Sequence, residues 1–100
     1  MDLSDDLTAE FDRMVETRRD LHTHPEVAHD ERRTQQVVFD RLKAAGIPAE
    51  TCGGTGVVAT IEGKGPGKVL LLRADMDALP VAEKNEVPYR SQHEGVMHAC

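Results

Sequence analysis

Three short stretches of this chain carry side chains that could do chemistry. The first is Leu70-Leu71-Leu72-Arg73-Ala74-Asp75-Met76-Asp77-Ala78-Leu79-Pro80, an apolar run leading straight into two carboxylates at alternate positions. Residues two apart on a strand point to the same face. Asp75 and Asp77 would therefore converge at the carboxyl end of a strand, where ligand sites form in open α/β sheets. Spacing alone leaves a plainer alternative, a pair of aspartates in the turn that ends a strand. The second stretch is Met97-His98-Ala99-Cys100. A thiolate is a soft ligand, and both it and imidazole suit zinc and related metals. One His and one Cys two apart are too few to define a site, and a thiol near a surface histidine is the simpler reading of spacing. The third is Leu21-His22-Thr23-His24-Pro25-Glu26. It offers metal or proton-transfer chemistry, or else a helix end whose histidines favour the negative pole of the helix dipole.

Two glycine-rich stretches do not carry nucleotide chemistry. Gly53-Gly54-Thr55-Gly56 lacks the dinucleotide spacing. In Gly63 to Lys68 the phosphate-loop pattern fails at both ends, with Glu62 in place of the first Gly and Val69 in place of the Ser or Thr. Both read as turns. The 100 residues carry 12 Lys+Arg against 18 Asp+Glu, a formal net charge of −6. Nucleic-acid binding needs clustered cations to displace counterions, so this balance argues against it.

The elements that must position these residues follow from periodicity. Leu7, Phe11, Met14, Val15, Arg18 and Leu21 recur at helical steps and predict a first helix with one mainly apolar stripe, Ser4 as its N-cap and Asp5 and Asp6 at its positive end. Pro25 turns the chain out of helix near His24. A second helix is predicted from about Asp30 to Ala45, with Val37, Val38, Leu42 and Ala45 on its buried face, stopped by Gly46 and Pro48. Val57–Ile61 and Val69–Leu72 read as strands separated by a turn over Glu62–Lys68, and the second is apolar throughout, as a strand covered on both faces would be. From Ala74 on, no period persists and Pro80, Pro88 and Gly95 mark a long irregular loop, of the length that tends to be functional. Cys52 is expected to be a small buried hydrophobe. Aromatics are few, Phe11, Phe39 and Tyr89, which limits the core available to this length of chain. No apolar run approaches the roughly 18 residues of a membrane span. The acidic start differs from a basic secretory leader, so the expected location is cytoplasmic.

Taken together, four ordered stretches resemble the amidohydrolase family of hippurate hydrolases, bacterial N-acyl amino acid aminoacylases and plant auxin-conjugate hydrolases, within the clan of dinuclear metallopeptidase-like enzymes. They are Arg18 through Glu26, Gly54 through Ala59, Leu72 through Pro80 with Glu83 after it, and Ser91 through Cys100. The resemblance implies an α/β fold: residues 1–100 would be the N-terminal part of an aminopeptidase-like α/β/α catalytic domain, two helices followed by sheet strands, with the lid domain absent. It also implies that Cys100 is a metal ligand, bridging two ions, and that the family's motif would continue Gly-His-Asp beyond it. Asp77 would orient a ligand by hydrogen bonding, Asp75 would line the same site, and His98 would support it. No role for His22 or His24 comes with the resemblance.

The implied reaction is hydrolysis of the amide of an N-acyl amino acid, a small-molecule substrate. Two divalent ions (manganese, zinc, nickel or cobalt) would activate water, and a glutamate beyond residue 100 would serve as general base. The same resemblance carries a homodimer formed through the lid domain, with no nucleic-acid or membrane partner. The competing expectation is that these 100 residues act as an inactive fragment or a small non-catalytic interaction module. A nucleotide-binding domain is disfavoured by the failed phosphate loop.

Overall fold

A computed structural model describes residues 2–100. Two helices, α1 (Ser4–Thr23) and α2 (Arg32–Ala44), precede an antiparallel hairpin of β1 (Ala49–Cys52) and β2 (Gly56–Ala59). Beyond Ala59 the chain is irregular, apart from two isolated bridges that pair Val27 with Ala78 and Leu79 with Met97.

Ser4 is the first helical residue of α1 rather than its cap. Asp2 precedes it, and its Oδ1 accepts from the Ser4 backbone N–H at 2.9 Å and from the Ser4 hydroxyl at 2.7 Å. Asp5 and Asp6 occupy the first turn, where the dipole favours negative charge. The helix closes with the His24 N–H on the Asp20 carbonyl at 3.2 Å, just before Pro25. The apolar stripe is present but not covered: Leu7, Phe11 and Met14 are all about 60 % exposed. Helix α2 packs on the hairpin instead of along α1. The two helices meet through the Arg33–Asp20 ion pair, at 2.9 and 3.1 Å, and a hydrogen bond from Arg41 to the Thr17 hydroxyl.

Helix α2 starts at Arg32, later than its acidic lead-in suggests, because its cap comes from a distance. The first N–H groups of a helix have no partner within it. Here the Glu26 carboxylate takes them, accepting from the backbone N–H of Arg33 at 3.0 Å and of Thr34 at 2.6 Å, and from the Thr34 hydroxyl at 2.7 Å. Burial pushes the Glu26 carboxyl up, but the amides of Thr34 and Arg33, the Thr34 hydroxyl and the Arg33 charge outweigh it and hold it below its ordinary value. At the other end Gly46, with φ of +72°, makes the left-handed stop that the sequence predicts.

The hairpin contains a strand that patterning does not reveal. β1 is Ala-Glu-Thr-Cys, without the β-rich character of β2, and it exists because β2 is there to pair with it, Ala49 opposite Ala59 and Cys52 opposite Gly56. The turn runs through Gly53 and Gly54, at φ of +60° and +87°, a conformation that glycine adopts without steric cost. Side chains of α2 and its lead-in hold that turn. Gln35 Nε2 donates to the Gly54 and Gly56 carbonyls at 3.0 and 3.1 Å, and the buried Thr55 hydroxyl donates to Glu31.

Two further sequence expectations are corrected. Cys52 is exposed, not buried, because it ends a two-stranded sheet beside the turn. Val69–Leu72 forms no strand and is 82–95 % exposed. A strand needs a neighbour to receive its backbone hydrogen bonds, and no described residue lies beside this run as one. The buried residues are accordingly few and mostly polar: Pro25 and Ala78 with His22, Glu31, Thr34, Thr55 and Glu83.

Candidate functional site

The chain after Arg73 folds against the C-terminal end of α1. The Ala78 N–H donates to the Glu26 carbonyl at 2.7 Å, beside the loop that caps α2. One residue on, Leu79 and Met97 exchange backbone hydrogen bonds, N to O at 2.9 and 3.1 Å. Because this bridge is antiparallel, the chain running back from Leu79 to Asp77 and the chain running on from Met97 to Cys100 leave it in the same direction. The two stretches whose chemistry stands out in the sequence are thereby brought together. His22, Asp75, Met76, His98 and Cys100 all line one open groove of about 670 Å³ that extends along α1.

The environments of these residues differ. Asp75 is exposed, and its Oδ1 accepts from Arg73 at 2.7 Å in a solvent-facing pair that adds little stability. Asp77 is half-buried and its charge acts on His98. Burial lowers the His98 pKa most, the nearby His22 lowers it further, and Asp77 opposes both; the net direction is down. His98 Nε2 is buried without a hydrogen-bond partner, an uncommon state for a polar atom. Cys100 is a free, exposed thiol.

A buried pair underlies this arrangement. His22 Nε2 lies 2.8 Å from Glu83 Oε2, with both side chains at least nine-tenths buried. Glu83 Oε1 accepts the Ser91 N–H at 2.6 Å, and Asn85 Nδ2 reaches Oε2 at 3.3 Å. The Ser91 amide, and after it His22, hold the Glu83 carboxyl below its ordinary value, since hydrogen bonds to a carboxylate favour its charged form. The His22 ring also meets Tyr89 edge-on at 6.0 Å and His98 at 6.5 Å between centroids. Sequence reasoning left His22 without a role, and no local spacing could link it to Glu83, 61 positions away.

As a metal centre the site is partial. Among the described residues no three His, Cys, Asp or Glu side chains converge in a way that could hold an ion. The Cys100 thiol, and the unpartnered His98 nitrogen two residues before it, fit one edge of a divalent-cation site.

Residues 71–100 match the model of Peptidase family M20/M25/M40. The chain is 43% identical over 100 residues to thermostable carboxypeptidase 2 of Saccharolobus solfataricus, covering 98% of this chain and 25% of that one. It is 42% identical over 88 residues to an N-acyl-L-amino acid amidohydrolase of Geobacillus stearothermophilus, covering 87% of this chain and 24% of the relative. The crystal structure of the Bacillus subtilis YXEP protein, a dinuclear metal-binding peptidase of the M20 family, superposes with a TM-score of 0.87 at 39% identity, over 93% of this chain and 26% of that one. The fold is that of the N-terminal part of an α/β catalytic domain, as in this solved structure. Residues 71–100 thus match the Peptidase family M20/M25/M40 model, and the chain as a whole is similar to the N-terminal part of N-acyl amino acid amidohydrolases. It spans about a quarter of the length of these relatives.

Proposed function

We propose that residues 1–100 form the N-terminal part of the catalytic domain of a metal-dependent hydrolase that cleaves the amide bond of small N-acyl amino acids. The observation that carries this reading is the Leu79–Met97 bridge, which lays the stretch through Asp75 and Asp77 beside the stretch ending in Cys100, with Asp75 and Cys100 lining one groove. Cys100 would contribute a thiolate to a divalent cation. Asp77, half-buried beside His98, would orient a neighbouring group by accepting a hydrogen bond, as carboxylates around metal ligands do. Asp75, at the exposed rim of the groove, would face the substrate or solvent. A bound pair of divalent ions would supply an acidified water and polarisation of the scissile carbonyl. The relatives' names support the amide chemistry, one as an N-acyl-L-amino acid amidohydrolase and the solved structure as a dinuclear metal-binding peptidase.

The test is hydrolysis of N-acetyl, N-benzoyl and indole-acetyl amino acids by the native-length protein, before and after chelation and after return of manganese, zinc, nickel or cobalt. Metal-restored release of free amino acid supports the reading. Activity on unblocked peptides alone would move it to a peptidase, in line with the carboxypeptidase relative. Turnover that chelation leaves untouched would refute the metal dependence.

A further inference from the structure

We infer that Glu83 is a positioning residue for the amide hydrolysis proposed above, on which this inference rests: its buried carboxylate ties His22 of α1 to the loop 83–97 and so fixes where Cys100 stands relative to Asp77.

Both carboxylate oxygens of Glu83 are engaged across the fold, Oε2 with His22 on the helix and Oε1 with the Ser91 amide in the loop. Its backbone carbonyl accepts from Arg90 at 2.8 Å, which closes the loop on its own starting residue. From Ser91 the loop continues as a compact unit. The Ser91 hydroxyl lies 2.7 Å from the Val96 carbonyl and accepts the His93 N–H at 3.2 Å, and Gly95 turns the chain at φ of +76°. Met97 then pairs with Leu79. Cys100 follows within three residues, with no further element between.

Other contacts bind the same loop to α1. The Gln92 N–H donates to the Thr23 carbonyl at 2.9 Å, and Arg19 stacks 4.6 Å above the Tyr89 ring. Glu83 differs from these in being a buried charge. Buried carboxylates are tolerated only when fully hydrogen-bonded, so its position is dictated by its donors and theirs by it. An ionised Glu83 also makes His22 Nε2 the donor, which fixes the tautomer of a ring lying against His98. The chain of contact from Glu83 through His22 and His98 ends two residues from Cys100.

The experiment compares wild type, Glu83→Gln and Glu83→Ala in the native-length protein, with three readouts. Hydrogen exchange over residues 91–100 reports whether the loop is fixed. Near-ultraviolet absorption of a thiolate–cobalt(II) bond reports ligation by Cys100. Steady-state kinetics on an N-acyl amino acid separate kcat from KM. Both variants should lose protection in residues 91–100 while α2 keeps its own. The cobalt band should weaken, and kcat should fall by about 10–100-fold, the range for residues that orient metal ligands, with KM changed by less than about threefold. Glu83→Ala should exceed Glu83→Gln, because the amide can still accept the Ser91 N–H. Lost protection with an unchanged band and unchanged kcat would make Glu83 a purely structural residue and overturn the inference. Unchanged protection in Glu83→Ala would overturn it as well. A wild type with no hydrolysis and no cobalt band would refute the proposed function and the catalytic half of this inference, and hydrogen exchange would then still decide whether Glu83 fixes the loop.

Discussion

His22 Nε2 and Glu83 Oε2 meet at 2.8 Å as a buried pair, joining the end of helix α1 to the loop that leads to His98 and Cys100. The pair sets a pH dependence. Glu83 is held below its ordinary carboxyl value by the Ser91 amide and by His22, and Glu31 by the Thr55 hydroxyl, while Glu26 ends below its ordinary value despite burial. A carboxyl whose folded pKa is depressed contributes stability that is present above its unfolded pKa and is lost as pH falls through the folded one. Stability should therefore hold near neutrality and decline from about pH 4.5 downward. Urea midpoints between pH 3 and 7 measure it. Glu83→Gln should flatten the acid limb of that curve, and an unchanged limb would contradict the assignment.

Helix α2 depends on a residue outside it. Replacing Glu26 by Ala leaves the N–H groups of Arg33 and Thr34 and the Thr34 hydroxyl without their acceptor. The expected cost is about 1–2 kcal/mol, the upper range for a lost N-cap. Because the Ala78 N–H binds the Glu26 backbone carbonyl, which the substitution keeps, the path of residues 74–79 should survive. Denaturant unfolding gives the cost, and hydrogen exchange at Ala78 tests the locality.

The hairpin turn is expected to be intolerant at Gly56. A Cβ there would lie 2.5 Å from the Cys52 carbonyl oxygen, a backbone atom that cannot swing aside. Gly56→Ala should cost about 1–3 kcal/mol as an overpacking change and loosen the Thr55 contact to Glu31. Equal stability of Gly56→Ala and wild type in thermal melts would show that the turn relaxes freely.

These contacts mark how much could be read from the residues in order. Both helices were legible because their apolar positions repeat and Gly46 stops the second. The fold class was legible because the four motifs occur in sequence. β1 was not, since Glu50 and Thr51 carry no strand pattern and pairing with β2 creates the element. The stripe of α1 and the run Val69–Leu72 were legible as surfaces made for burial, yet they stand exposed, because a pattern states what a segment can pack against and not whether that partner is present. The Glu26 cap and the Glu83 knot were invisible for a different reason. Each joins residues across a loop or across most of the chain, and no periodicity encodes such a pairing.

A polypeptide confined to these 100 residues is expected to associate and to unfold without a sharp transition. Val69, Leu70, Leu71 and Leu72 present a continuous apolar run with unpaired backbone, the kind of segment that templates pairing between chains. The Leu7–Phe11–Met14 face adds a second adhesive surface. Sedimentation and calorimetry read the two effects, and a monomer with a cooperative melt would contradict both. The same polypeptide should show no metal-dependent hydrolysis, because no three candidate ligands converge among its described residues.

The two cysteines should respond differently to metal. Both are free and exposed, so exposure alone predicts that both alkylate readily. Cys52 sits at the end of β1 beside the Gly53–Gly54 turn, away from the groove. Cys100 lines the groove with Asp75, His22 and His98. A thiolate bound to a cation is deprotonated by it and shielded from electrophiles, and it regains reactivity when the metal is stripped. In the native-length protein, Cys100 should thus be protected from iodoacetamide by manganese, zinc or cobalt and exposed by chelation, with Cys52 indifferent to either. Cys100→Ser should lower metal content and reduce kcat/KM by more than about tenfold, beyond the lower limit seen when only a ligand's supporting partner is lost. Cys52→Ser should be nearly neutral in both. The order of the two effects is firmer than their size, since a serine oxygen replaces sulfur less poorly for a hard ion such as manganese than for zinc. Full metal occupancy and full rate in Cys100→Ser would remove Cys100 from the metal site, whereas loss of metal in Cys52→Ser would place the site away from this groove.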